Sequence, residues 1–317
     1  MKSYKKRLLF AGKEDSYKND SVSVDGNNAF EVFNLEVQPF TANTLERNLT
    51  SNILGNKKIA FAIQRVQVNF DLEVTTQGTK GNPPAYADLL KACAMKEVIT
   101  ENDKVTYTPK LDKTSDDSAR IIYFVDGLKQ DIQGCRGSFS LNFKAGEIPY
   151  FSFSFTGLYK EPEDTANGNN DAPTFPTVKG PLVFNQANSS AFQIGGTALN
   201  LDSLTVDLGN VMENNELIGT SQQVRYVDRA PTGTAVIELP TRGKKNLFDL
   251  LTKTKTFTPL TVTHGTANGK KLEVNVPEID IRNVTYSEMD TIAMANLEFH
   301  AMPESNSGDD EIELIFK

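Results

Sequence analysis

Arg65-Val-Gln-Val-Asn-Phe-Asp-Leu-Glu-Val74 alternates polar and apolar residues without a break, so Val66, Val68, Phe70, Leu72 and Val74 share one face. Successive side chains of a strand point to opposite sides of a sheet, and strict alternation therefore marks a strand buried on one face. The same period returns in Ser138-Phe-Ser-Leu-Asn-Phe143 and in Tyr150-Phe-Ser-Phe-Ser-Phe155. Lys144-Ala-Gly-Glu147 lies between them as a turn, so the pair reads as a hairpin whose aromatic face builds a sandwich core.

Working outward, the pattern predicts strands near 30–37, 105–108, 121–125, 205–208, 235–239, 260–263, 272–276, 279–284 and 292–299. Helix signals are few. Pro84 opens a run that sets Tyr86, Leu89, Leu90 and Cys93 at helical spacing, and Asn246 caps a second run over 246–253. Both runs carry Asp-Leu-Leu, at Asp88–Leu90 and Asp249–Leu251. The stretch 161–176 is rich in Pro, Gly, Asn and acid, which is linker composition.

The two sides read as diverged copies: an alternating strand, a short helix with Asp-Leu-Leu, more strands, then a closing hairpin. The first hairpin spans 138–155 and turns at Gly146-Glu147; the second spans 279–299 and turns near 287–290. The expected architecture is mainly β, with two tandem antiparallel β-sandwich domains over 1–165 and 181–317. A linker over 166–180 joins them, and each domain has a short flanking α-helix.

With 317 residues the chain can bury a core without staples, and 41 Asp and Glu against 33 Lys and Arg make it acidic. That balance disfavours gripping nucleic acid, because phosphate binding rests on Lys and Arg; it does not argue against a surface past which DNA slides. Two cysteines, Cys93 and Cys135, and two histidines, His264 and His300, form no metal spacing or disulfide framework. The apolar run Leu8 to Ala11 is too short for a signal peptide core, and nothing approaches a membrane span. The expectation is a soluble chain assembled in the cytoplasm.

No nucleophile elbow, phosphate loop or zinc-protease motif occurs, so no catalytic, cofactor or metal residue is assigned. Glu147 and Asp126 attract attention as carboxylates, yet Gly146-Glu-Ile-Pro149 and Asp126-Gly127 read more simply as turns. Cys93 sits on an apolar helix face, and Asp309-Asp-Glu311 reads as a solvated acidic tail.

Several stretches resemble, in order, the tail tube proteins of long non-contractile-tailed bacteriophages and prophages. They are Asn34-Leu-Glu-Val-Gln-Pro39 with Leu45-Glu-Arg47, Pro83-Pro-Ala-Tyr-Ala-Asp-Leu-Leu-Lys-Ala-Cys93, and Val105-Thr-Tyr-Thr-Pro109. Gly134-Cys-Arg-Gly-Ser-Phe-Ser-Leu-Asn-Phe-Lys-Ala-Gly-Glu-Ile-Pro149 with Phe155-Thr-Gly-Leu-Tyr159 is the most specific. Asp228-Arg-Ala-Pro-Thr-Gly233, Thr263-His-Gly-Thr266, Tyr286-Ser-Glu288 and Ile292-Ala-Met294 extend the likeness into the second half. Cys135 departs from it, standing where a small residue such as Ala is expected.

The resemblance implies a virion protein that polymerises into stacked rings around a genome channel. Its partners would be itself, the tape-measure protein and phage DNA in the lumen, and tail terminator and tail-tip proteins at the ends. Two tube units in one chain would make trimeric, pseudo-hexameric rings; one unit plus a decoration would need a hexamer. Stacking contacts are expected from the N-terminal arm, from 45–58 (Leu45, Arg47, Leu54, Lys57, Lys58) and from the tail after Pro303 (Glu304, Asp309, Phe316). The rival readings are a head decoration or tail terminator protein, or a carbohydrate-binding β-sandwich, which the absence of Trp disfavours.

Overall fold

The computed structural model describes residues 4–47, 50, 55–56, 58–110, 117–165, 180–190, 192–252 and 258–317. The chain opens with β1 (Arg7–Lys13), β2 (Ala29–Phe30), β3 (Phe33–Glu46) and β4 (Ile59–Glu73), followed by α1 (Ala87–Lys91). Then come β5 (Met95–Thr100), β6 (Lys104–Pro109), β7 (Ala119–Val125), β8 (Leu128–Lys144), β9 (Tyr150–Leu158) and β10 (Glu163–Asp164). The second half holds β11 (Phe192–Ile194), β12 (Thr197–Leu199), β13 (Leu201–Asp207), β14 (Asn210–Asn215), β15 (Gln223–Arg229) and β16 (Thr232–Glu238). It ends with α2 (Leu247–Thr252), β17 (Thr258–His264), β18 (Leu272–Met289), β19 (Ile292–Met302) and β20 (Glu313–Phe316).

The expected mainly-β, antiparallel fold is what the chain adopts. Pairings β3–β4, β4–β9, β9–β8, β8–β13, β13–β16, β16–β19 and β19–β18 join eight strands into one antiparallel sheet. The alternation read from the sequence sets its two faces: Val66, Val68, Phe70, Phe139, Leu141, Phe153 and Phe155 are buried together. Phe70 and Phe153 stack at 5.5 Å between ring centres, and Phe139 meets Phe153 at 6.0 Å.

The strands β8 and β18 are long, 17 and 18 residues, because each serves two layers. Their first residues pair with β7 and β17, and their last with β9 and β19. Register shifts between Gln133 and Arg136 and between Ile281 and Asn283 stand where each turns the corner. An extra residue bends and twists a strand, which is how one strand can change layers. The second layer contains β1 on β7, and β17, β18, β20, β6 and β5 in sequence. One apolar cluster joins both halves, from Leu9 and Phe153 to Leu204 and Leu297.

Turn chemistry follows the sequence closely. Asp126 and Gly127, at φ 38° and 85°, connect β7 to β8 as a two-residue hairpin. The second closing hairpin runs further than 287–290: β18 reaches Met289, and Asp290 and Thr291 make the turn at φ 49° and 70°. The helix predicted over 84–94 shortens to Ala87–Lys91, since the chain winds into tighter turns and Ala94 adopts φ 58°. Its apolar face is nevertheless as spaced, with Tyr86, Leu89, Leu90 and Cys93 buried. Asn246 caps α2 as expected, its Oδ1 accepting from the Phe248 N–H at 3.3 Å. Residues 166–179 of the expected linker lie outside the described residues.

Both chain ends fold inward. Arg7–Lys13 pairs along β7, and Glu313–Phe316 inserts between β18 and β6. Alternation explains the second: Ile312, Leu314 and Phe316 fall on one face and are all buried.

Candidate functional site

The eight-stranded sheet has a second face, and its residues are short and polar. One row crosses seven strands through paired positions: Glu73, Tyr150, Asn142, Thr205, Thr234, Glu298 and Asn283. A neighbouring row brings Asp71, Ser152, Ser140, Asp207 and Thr232 into line. Polar groups hold one another along it, with Thr205 Oγ1 donating to Asn142 Oδ1 at 3.1 Å and Ser287 Oγ to Asn296 Oδ1 at 3.2 Å. Carboxylates at Asp71, Glu73, Asp207 and Glu298 share the face with Lys144, whose charge is taken by Glu147 at 2.5 Å. The face is a dense carpet of hydroxyls and amides with scattered carboxylates, and Lys144 and, at the far end of β4, Arg65 are cations on it.

The sheet ends in two strands with an open side. Among the described residues β3 pairs with β4 alone, and no strand flanks the outer side of β18 over 282–289. Both ends expose apolar side chains among polar ones: Phe33, Phe40 and Leu45 on β3, Tyr286 and Met289 on β18. An unpaired strand edge with apolar side chains is a template for another chain.

Each half also sends out a hairpin arm. The second arm, β14–β15, folds back over the first half and is held there by many bonds. Arg136 donates to the Val224 carbonyl at 2.6 Å while its guanidinium lies 4.9 Å from the Tyr17 ring centre and 5.7 Å from that of Tyr226. The Tyr226 hydroxyl donates to the Ala92 carbonyl, and Asn210 Nδ2 donates to those of Cys93 at 2.8 Å and Gly137 at 3.0 Å. Gln222 Nε2 reaches the Gln64 carbonyl at 2.8 Å. The first arm is the far part of β3–β4, Ala42–Glu46 paired with Ile59–Gln64, and β9 reaches only as far as Arg65.

The residues singled out from sequence fall in different environments. Leu45 is exposed on the first arm, with Arg47 and Lys58 exposed beside its tip; Leu54 and Lys57 lie outside the described residues. Glu304 is exposed, its N–H donating to Asp310 Oδ1 at 3.2 Å. Asp309 and Glu311 bind Arg229 at 2.8 and 3.0 Å, tying the tail to β15. Phe316 is 4% exposed and packs on Tyr86 and Tyr107, at 6.2 and 5.7 Å, so its ring belongs to the subunit's own core. Phe40, Ile59 and Phe61 escaped the sequence reading. The signal for Ile59 and Phe61 was present in Ile59-Ala-Phe-Ala-Ile63, which is apolar at every position although it lies at a strand end.

The titratable groups that burial perturbs serve the fold. Burial pushes the Glu14 carboxyl up, against hydrogen bonds from Ser118, Gly134 and Lys18. Asp131 is buried and held below its usual range by Arg120 and Lys160, at 2.7 and 3.1 Å. Burial raises both thiols, leaving Cys93 and Cys135 as packed, protonated groups. Among the described residues no three of His, Cys, Asp and Glu are grouped to hold a metal, and no helix is long and apolar enough to cross a membrane.

A polar carpet, two open edges and two arms are the parts of a subunit made to meet copies of itself. The family of phage tail tube proteins matches residues 5–308. The chain belongs to the phage tail tube protein family. Among curated proteins none matches it. Membership makes this tail tube protein a component of the virion tail.

Proposed function

We propose that this tail tube protein closes into rings by pairing the open edge of β18 in one copy with the open edge of β3 in the next. The rings stack into a tube assembled in the host cytoplasm, which houses the tape-measure protein and conducts the genome, and terminator and tip proteins close its ends. The observation that carries this is the repeated strand order. In each half, the second strand of a first hairpin pairs with the second strand of a closing hairpin: β3-β4-β9-β8, then β13-β16-β19-β18. At the join, β8 pairs antiparallel with β13 through Ser203–Lys144 to Asp207–Ser140. Since β18 corresponds to β8 and β3 to β13, the same join made between copies continues the sheet around a ring. Closure into a barrel removes both exposed edges.

Each half then fills one position of a pseudo-sixfold ring, and three chains complete it, with tandem tube units over 1–165 and 181–317. Barrels of about 16–18 strands enclose only a small-solute channel, so two copies of an eight-stranded sheet are too few for a duplex. The polar face lines the lumen, where like charge keeps phosphates from tight contact. Ring stacking is a heterologous contact that does not close and so yields a filament. Exposed Leu45, Arg47 and Lys58 at the arm tip and Glu304 in the tail are the surfaces offered to it.

Negative-stain electron microscopy of the concentrated protein tests this. Hollow tubes or stacked rings are the expected product. Closed shells, or persistent monomers even with tail-tip extract as nucleus, would move the protein to a decoration or terminator role.

A further inference from the structure

We propose that the first arm, Ala42–Glu46 with Ile59–Gln64, lies across the second half of the neighbouring copy and covers α2, as the second arm lies across the first half of its own chain. This deepens, and rests on, the ring reading given above. The two arms are matched parts. Each extends a first hairpin beyond the point where the sheet supports it, and each leaves through an irregular stretch: bulges at Gln38/Thr41 and Ala42/Asn43 in one, Leu208-Gly209 at φ 64° for Gly209 in the other. The second arm has a saddle in its own chain, where Val224 is buried and bonds run to Arg136, Ala92, Cys93 and Gly137. The first arm keeps Phe61 54% exposed, with Leu45 and Ile59 bare beside it.

The matching saddle is equally bare. Asp-Leu-Leu is repeated in the two helices, yet Leu90 of α1 is 0% exposed and Leu251 of α2 is 37% exposed, with Phe248 of the same helix exposed as well. The bulge of β8 presents Arg136, buried between Tyr17 and Tyr226; the bulge of β18 presents Arg282, whose side chain is 53% exposed. An aromatic arm exposed at Phe61 and an apolar saddle whose half-exposed Arg282 is paired with Asp280 at 2.9 Å occur in one molecule, in the places that the internal repeat relates. Continuity gives the occupant. The arm is the direct prolongation of β3, so a copy that pairs β3 with a neighbour's β18 carries its arm onto that neighbour's second half. Arg282 would then face Phe61 as Arg136 faces Tyr226.

Wild-type tubes and a double variant, Phe61→Cys with Leu251→Cys, decide the matter under copper–phenanthroline oxidation; both native thiols are buried. Covalent dimers and trimers in assembled tubes, absent from either single variant, are expected. Tubes without cross-links would overturn the arm contact and leave the ring intact. Failure of the wild type to form rings at all would overturn the ring reading, and this inference with it. Should the double variant not assemble, Phe61→Asp gives the answer: folded monomers with wild-type melting and loss of tubes are expected, and tubes at the wild-type level would refute the contact.

Discussion

At the residue scale, the charged groups buried in this chain hold segments distant in sequence, and their replacement reads out that work. Arg120 forks onto Asp131 at 2.7 Å and donates to the carbonyls of Asp20 and Val22 at 3.0 Å, pinning the loop after β1 to the β7–β8 hairpin. Arg120→Met leaves Asp131 with Lys160 as its cation and removes the carbonyl contacts, and should lower stability in urea by about 1.5–3 kcal/mol; a change under ~0.5 kcal/mol would show the pair to be idle. His264 gives the pH counterpart. It is buried against Phe143 and Phe184 with Nδ1 3.1 Å from Ser189 Oγ, and burial lowers its pKa. Its neutral form is the one the fold accepts. Its contribution is complete above the unfolded pKa of about 6.5 and is lost as pH falls below that value. The melting temperature of His264→Asn should therefore fall less between pH 7 and pH 5 than that of the wild type. Parallel slopes would show that the imidazole does not titrate on unfolding.

At the element scale, β20 carries the clearest lesson. A tail after Pro303 looks polar from its Ser, Asp and Glu residues, and four residues of alternation are too short a signal to outweigh that composition. In the fold, Phe316 completes a ring cluster with Tyr86 and Tyr107 from the other half. Phe316→Ala should cost about 3–5 kcal/mol and leave a single melting transition for both halves; an unchanged stability with lost assembly would return the residue to the surface role. The strands with long alternation, and the Asp126-Gly127 turn, were legible because period and turn chemistry are local properties. The pairing of β8 with β13 was not, since nothing local distinguishes a strand edge that will be covered from one that stays open. The first arm was hidden for the same reason: Ile59 and Phe61 look like core in the sequence, and only the sheet shows them exposed.

At the scale of the whole molecule, the face and the edges answer different requirements. In the ring proposed above the face lines the channel, and Asp71, Glu73 and Glu298 stand on it among Ser, Thr and Asn. Replacing these three by Lys should leave tubes intact and slow genome ejection, more so at low salt, where phosphate contacts are strongest. Ejection at the wild-type rate would show that this face is not the lumen. The edges must find each other, and an apolar edge strand kept open in a monomer is tolerable only when assembly covers it. The measurement that bears most directly on this account is cryo-electron microscopy of the assembled tube at a resolution that separates strands. Three chains per ring, with β18 of each copy hydrogen-bonded to β3 of the next and the polar face inward, is the predicted result. Six chains per ring, or rings in which these two edges do not meet, would contradict it.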